Sequence, residues 1–299
     1  MRAIAKMAMR SPAAASINAA AYAVFALFFA PFMVVSGAIL ALSTLRFGAT
    51  AGLRTFAVAM LIGGSGYYIL LHRPQLVFLL CMAWLPVLVA GQVLRISQSQ
   101  GLAMTVCAVF AAIYAMTMRA IVADLPAHWL ARLQSIRDTM ATQGGTIFEL
   151  IDISDTAARM HEAIVVAVCL YGMTTILLAR WWQAELYNPG GFGVEFRQLL
   201  IPRAVSPIAA VVAVFALVQL RTSGVHGLPG DLLVVLVVLF AFQGLALLHH
   251  RVHKLGLAKW WLIGFYILLI RLPQFVGLIL AFVGIADTLV DSRRARGAK

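Results

Sequence analysis

Charge is what this sequence has least of. Of 299 residues only 11% are Asp, Glu, Lys or Arg, less than half the share of an ordinary soluble domain. Carboxylates are the scarcest, 11 Asp and Glu against 23 Lys and Arg. Cysteine is almost missing as well. Cys81, Cys107 and Cys169 all fall inside apolar stretches, with no CxxC or Cys/His spacing, which excludes a disulfide-stapled secreted domain and a zinc site. No P-loop, GxGxxG or GxSxG is written anywhere in the chain, so no catalytic motif is found, and no enzyme, cofactor or metal is expected.

What fills the space is apolar. Hydrophobic residues make up 63% of the chain and the mean hydropathy is +0.94. A water-soluble protein could not cover that much apolar surface, and the expected fold is an all-α, polytopic membrane helix bundle. A crossing needs about 20 apolar residues, or about 17 where the span is thin. Candidate single spans are Phe56–Leu71, Pro74–Leu94, Gly101–Val122, Glu162–Ala179, Ala204–Leu220 and Leu232–Leu248. The first apolar stretch, Ala13–Leu45, is broken by Pro31, and the last, Leu255–Val290, is broken by Arg271 and Pro273. Each is read as a hairpin of two short helices, which makes ten crossings; single kinked spans would make eight. Residues 1–299 then form one integral membrane domain.

The loop charges orient it. With the N-terminus inside, 16 of the 23 basic residues fall on the cytoplasmic side: Arg2, Lys6, Arg10, Arg46, Arg54, Arg95, Arg180, Arg197, Arg203, Arg251, Lys254, Lys259, Arg293, Arg294, Arg296 and Lys299. The outer side keeps seven: Arg73, Arg119, Arg132, Arg137, Arg159, Arg221 and Arg271. That asymmetry obeys the positive-inside rule and puts both termini in the cytoplasm of a bacterial inner membrane. The net charge of +12 therefore meets lipid headgroups, and nucleic acid is not an expected partner. The apolar run follows Ala13-Ala14-Ala15 instead of preceding it, so the first span is read as uncleaved.

Residues 124–161 read as an extracytoplasmic amphipathic insertion with a Gly144-Gly145 break. Trp129, Leu130, Leu133, Ile136 and Met140 share one helical face. This helix either lies in the outer interface with Trp129 as anchor or packs on its own bundle.

The densest polar and aromatic run is expected as a cytoplasmic loop over 180–203, which opens with Arg180, Trp181, Trp182 and Gln183. Tyr187, Asn188, Pro189, Gly190, Gly191 and Phe192 follow. The two tryptophans and Tyr187 suit an aromatic belt, and Asn-Pro-Gly-Gly forces a turn. The run Leu178-Ala179-Arg180-Trp181-Trp182-Gln183, with Leu186–Phe192 and Glu195-Phe196, resembles the signature of the YybS-like family of uncharacterised bacterial membrane proteins. Weaker matching motifs are Thr44–Gly48 with Ala51-Gly52-Leu53, and Gly284–Asp287 with Asp291–Arg294. That family is distantly similar to the substrate-binding subunits of energy-coupling-factor transporters. The resemblance thus implies a site between helices and a docking face of small residues on the first helix, although this chain is longer and has more spans than those subunits.

Ser11, Ala15, Ala19 and Ala23 form such a stripe, which serves either a membrane-protein partner or packing within the chain. Asp287, Arg180 and Arg203 lie at one depth and are expected to make an interhelical ion pair. His249 and His253 are spaced i, i+4 but lack a third ligand, and Gln92 and Gln243 suit interhelical hydrogen bonds. The expected function is small-molecule binding or transport in the membrane. The alternative is a scaffold or accessory subunit acting through protein contacts.

Overall fold

The structure, a computed structural model, describes residues 2–142, 152–223, 227–258 and 260–290. Every regular element among them is an α-helix. In chain order these are α1 (Arg2–Ala8), α2 (Pro12–Phe25), α3 (Phe32–Phe47), α4 (Ala49–Leu71), α5 (Gln75–Ser97), α6 (Gln100–Ile121) and α7 (Leu125–Ala141). They continue with α8 (Ile153–Tyr187), α9 (Gly191–Phe196), α10 (Val205–Ser223), α11 (Leu228–Lys254), α12 (Trp260–Arg271) and α13 (Pro273–Val290). Seven of them, α4, α5, α6, α8, α10, α11 and α13, are long and apolar enough to cross a membrane; α2, α3 and α12 are shorter and apolar. The chain is an all-α polytopic bundle and an integral membrane protein. Side chains such as Phe215, Trp260, Trp261, Ile270 and Phe282 stand exposed around it, a surface that lipid covers and water would not.

The breaks fall where the prolines were expected to put them. The first stretch splits between Phe25 and Phe32, and α2 and α3 then pack back to back, with Ser36 Oγ donating to the Ala19 carbonyl at 2.6 Å. Trp84 of α5 donates its indole N–H to the same Ser36 oxygen at 3.1 Å, so three helices share one buried chain of hydrogen bonds. The last stretch splits at Leu272 ahead of Pro273, giving α12 and α13. None of the residues of α12 is buried.

Small residues govern the tightest contact. α11 and α13 touch backbone to backbone: a methyl on Gly244 would drive into the Leu280 carbonyl, and one on Gly284 into that of Phe240. Such close approach is how helices associate in lipid, where apolar side chains alone gain nothing over lipid tails.

The small-residue stripe is spent in the same way. Ala15, Ala19 and Ala23 are fully buried against α3 and α4, and Tyr67 donates to the Ala23 carbonyl at 3.1 Å. Ser11 is the N-cap of α2, its hydroxyl accepting from Ala14 N at 3.1 Å. The stripe is therefore not a docking face, because the chain's own helices occupy it.

The insertion resolves into two pieces. α7 begins at the N-cap Asp124 and packs along α8, burying Leu125 and Leu133. Residues 153–161 are the first turns of α8 itself, which at 35 residues runs ~52 Å and rises well beyond the membrane. α7 thus packs on the bundle's own helix, with Ile136 of its apolar face left exposed, while Gly144-Gly145 lies outside the described residues.

Candidate functional site

One end of the bundle gathers the arginine-rich helix ends, and there a cleft of about 470 Å³ opens between the α5–α6 turn, the α9–α10 connection and the last turn of α13. Its polar walls are Gln98, Ser99 and Gln100, then Glu195, Gln198 and Arg203, then Asp287 and Thr288. These come from three parts of the chain, spread over residues 98–288.

The loop expected over 180–203 shapes one wall, but much of it is helix. Arg180–Tyr187 are the final turns of α8, and only at Asn188 does the chain leave it. Asn188 N still accepts helical geometry by donating to the Ala184 carbonyl at 2.7 Å. Gly190 then takes φ +84°, a region glycine enters without strain, and Gly191 N donates to the Asn188 backbone carbonyl at 3.0 Å. It is that backbone oxygen, and not the Asn188 amide, that closes the turn. α9 follows at once and turns Glu195 back toward α8.

Glu195 is the hinge of this wall. Arg180 grips it with two parallel hydrogen bonds, Nη2 to Oε1 at 2.6 Å and Nε to Oε2 at 2.7 Å, and also donates to the Gln183 side-chain oxygen. A planar guanidinium matches a carboxylate in this way, which makes the pair directional as well as attractive. Gln100, at the start of α6, donates its amide N–H to Glu195 Oε2 at 3.3 Å.

The expected clasp needs correction on this point. Arg180 is committed to Glu195 and not to Asp287. The Asp287 carboxylate, buried on α13, instead accepts from Gln243 Nε2 at 3.0 Å. Gln243 also donates to Thr288 Oγ1 at 2.8 Å and accepts from Ile201 N at 2.8 Å, so one amide ties α11, α13 and the connection before α10 together. Arg203 and Asp287 both line the cleft, as their common depth suggested.

The aromatic belt divides. Trp182 is 0% exposed and belongs to the core, so it anchors nothing in the interface. Trp181 packs at the core's edge, and Tyr187 is exposed with the Arg46 guanidinium 4.3 Å above its ring. Arg95 donates Nη1 to the Leu45 and Arg46 carbonyls at 2.7 and 2.8 Å, closing the end of α3. The Thr44–Gly48 segment, the Arg180–Phe196 run and the Gly284–Asp287 segment therefore meet at the same end of the bundle. His249 is engaged by the Tyr266 hydroxyl at 2.8 Å and by the edge of the Phe196 ring, and among the described residues no group of three metal-ligating side chains forms.

A second cluster sits at the opposite end and was not anticipated. Asp231, in the first turn of α11, is 2% exposed. Arg119 from the end of α6 binds it through Nε and through Nη2 at 3.1 Å, and His161 of α8 brings Nε2 to 3.3 Å of the same carboxylate. The Tyr114 ring stacks on the imidazole at 6.1 Å. Each of these residues sits at a span edge, where a charge reads as interfacial. The available signal was the crossing count, which puts all three charged helix ends on one side.

Comparison of the chain with protein-family models, with curated proteins and with solved structures found no match in any of the three.

Proposed function

We propose that this is a bacterial inner-membrane protein with both termini in the cytoplasm, and that it binds a small polar or amphiphilic molecule in the cleft. The observation that carries the reading is the cleft itself. Its volume falls within the range of small-molecule sites, and it collects two carboxylates, an arginine and several amides at one end of a membrane bundle. The burial of the Ala15–Ala23 stripe weighs against the accessory-subunit alternative, because it removes the surface on which that alternative rested. Kinship with the YybS-like family is part of the same proposal and rests on the sequence motifs alone.

The test is native mass spectrometry of the protein released from lipid nanodiscs, beside hydrogen exchange of residues 98–101 and 198–203. A molecule retained by the wild type and lost in Arg203→Ala, with matching loss of protection, supports the reading. Identical spectra and identical exchange for the two proteins refute it.

A further inference from the structure

At the end of the bundle away from the cleft, one buried carboxylate faces two basic groups carried on two different helices. Arg119 of α6 holds Asp231 through Nε and through Nη2 at 3.1 Å. His161 of α8 is 4% exposed and brings Nε2 to 3.3 Å of the same carboxylate, yet neither ring nitrogen makes a hydrogen bond. A neutral imidazole offers one N–H and one lone pair, and here both go unused. Buried polar atoms in native proteins are nearly always paired, so the ring invites the question of which protonation state this pocket suits. The charged ring would have its acceptor in place, because an imidazolium N–H aimed at Asp231 makes a charge-assisted bond.

One carboxylate cannot neutralise two buried cations, and the surplus charge would be costly away from water. One cation must then leave, and exposure decides which. The His161 side chain is sealed, whereas the Arg119 side chain is 27% exposed, and its long stem lets the head swing out. The other neighbours of the ring add little charge. From α6 the Tyr114 ring stacks on it at 6.1 Å. On α8 itself Asp155, Arg159 and Glu162 are exposed, and Ala157 and Val165 are the buried residues on either side. α7 lays Leu125 and Leu133 inward, with Asp124, Arg132, Arg137 and Asp138 exposed and His128 against the Trp129 ring. Arg221, at the end of α10 beside α11, is exposed as well. We propose that this cluster is a proton-operated exchange. When His161 takes a proton from water, Asp231 passes from Arg119 to the imidazolium, and a tie between α11 and α6 becomes one between α11 and α8. The only bond formed is N–H, on the ring nitrogen that lacked a hydrogen. Asp231 stays a carboxylate and Arg119 keeps its charge. Imidazole is the side chain whose ordinary titration falls between pH 5 and 8, which makes proton supply the natural control.

The exchange is read by magic-angle-spinning NMR of the isotope-labelled full chain in lipid nanodiscs, titrated over the range from about pH 8 to about pH 5 in which imidazole changes charge. The His161 ring is identified by its contact with the Tyr114 ring. Its nitrogens should move to the imidazolium shift. The Arg119 Nε–H resonance, protected while bound to Asp231, should vanish at the same midpoint. Removing the competitor should strengthen proton binding, so Arg119→Met is expected to raise the His161 midpoint by about one pH unit or more, a tenfold gain in proton affinity. In His161→Gln the Arg119 resonance should persist to the acid end of the titration. A ring that stays neutral throughout overturns the proposal, and so does a charged ring beside an Arg119 resonance that remains. An unshifted midpoint in Arg119→Met overturns it too. Acid loss of the Arg119 resonance in His161→Gln would move the proton to Asp231 and refute the exchange. If His161→Gln does not fold, the coincidence of the two wild-type midpoints and the shift in Arg119→Met still decide.

Discussion

Replacing Asp231 by Asn asks whether its cluster with Arg119 and His161 holds α6, α8 and α11 together. The carboxylate is buried, and it is contacted by Arg119 through two guanidinium nitrogens and by His161. Breaking a fully buried ion pair by removing one partner costs about 3–5 kcal/mol, because the other charge is stranded. Arg119 is 27% exposed along its side chain, so part of that penalty is relieved as its head swings toward the interface. The expected loss is therefore about 2–3 kcal/mol after that discount. Denaturation in mixed micelles, followed by far-ultraviolet circular dichroism, measures it. The double variant Arg119→Met with Asp231→Leu should recover most of the loss, since removing both charges leaves no orphan. Asp138→Asn serves as the control. Its pairing with Arg137 is on the surface, and about 0.5 kcal/mol or less is expected there. If Asp231→Asn unfolds at the wild-type midpoint, the three residues are merely neighbours and the reasoning fails.

Gly284→Val should be among the most damaging single changes, costing at least about 3 kcal/mol by separating α11 from α13, while Gly277→Val, with open space around it, should stay within about 0.5 kcal/mol; midpoints in the same denaturation assay decide. Trp182→Ala should cost about 3 kcal/mol as a core truncation and Trp181→Ala clearly less, and equal losses would contradict the division of the belt. Glu195→Ala removes the carboxylate that Arg180 grips and Gln100 donates to, so ligand retention should fall while membrane insertion, read by reporter fusions, persists. Those fusions should report cytoplasm after Arg95 and Arg197 and the outer side near Gly145. A cytoplasmic reading at Gly145 would reverse every later crossing.

Composition and periodicity determine a good deal of this protein without any coordinates. An apolar chain must satisfy its backbone internally, so helices follow; proline at 31 and 273 interrupts the first and last stretches, and helices break there. The common side of Arg203 and Asp287 follows from counting crossings. What counting cannot supply is azimuth, the direction in which each helix faces. Trp181 and Trp182 are adjacent letters, but successive helical residues point about 100° apart, so one meets the core's edge and the other its centre. The alanine stripe looks identical whether a partner or α4 covers it. Arg180 had an acid at suitable depth in Asp287, yet Glu195 reaches it, because a positive φ at Gly190 folds α9 back on α8. Asp231, Arg119 and His161 each look like ordinary interfacial residues until α6, α8 and α11 are packed side by side. Depth is a property of sequence, set by lipid thickness; partnership is a property of packing, set by which helix faces meet.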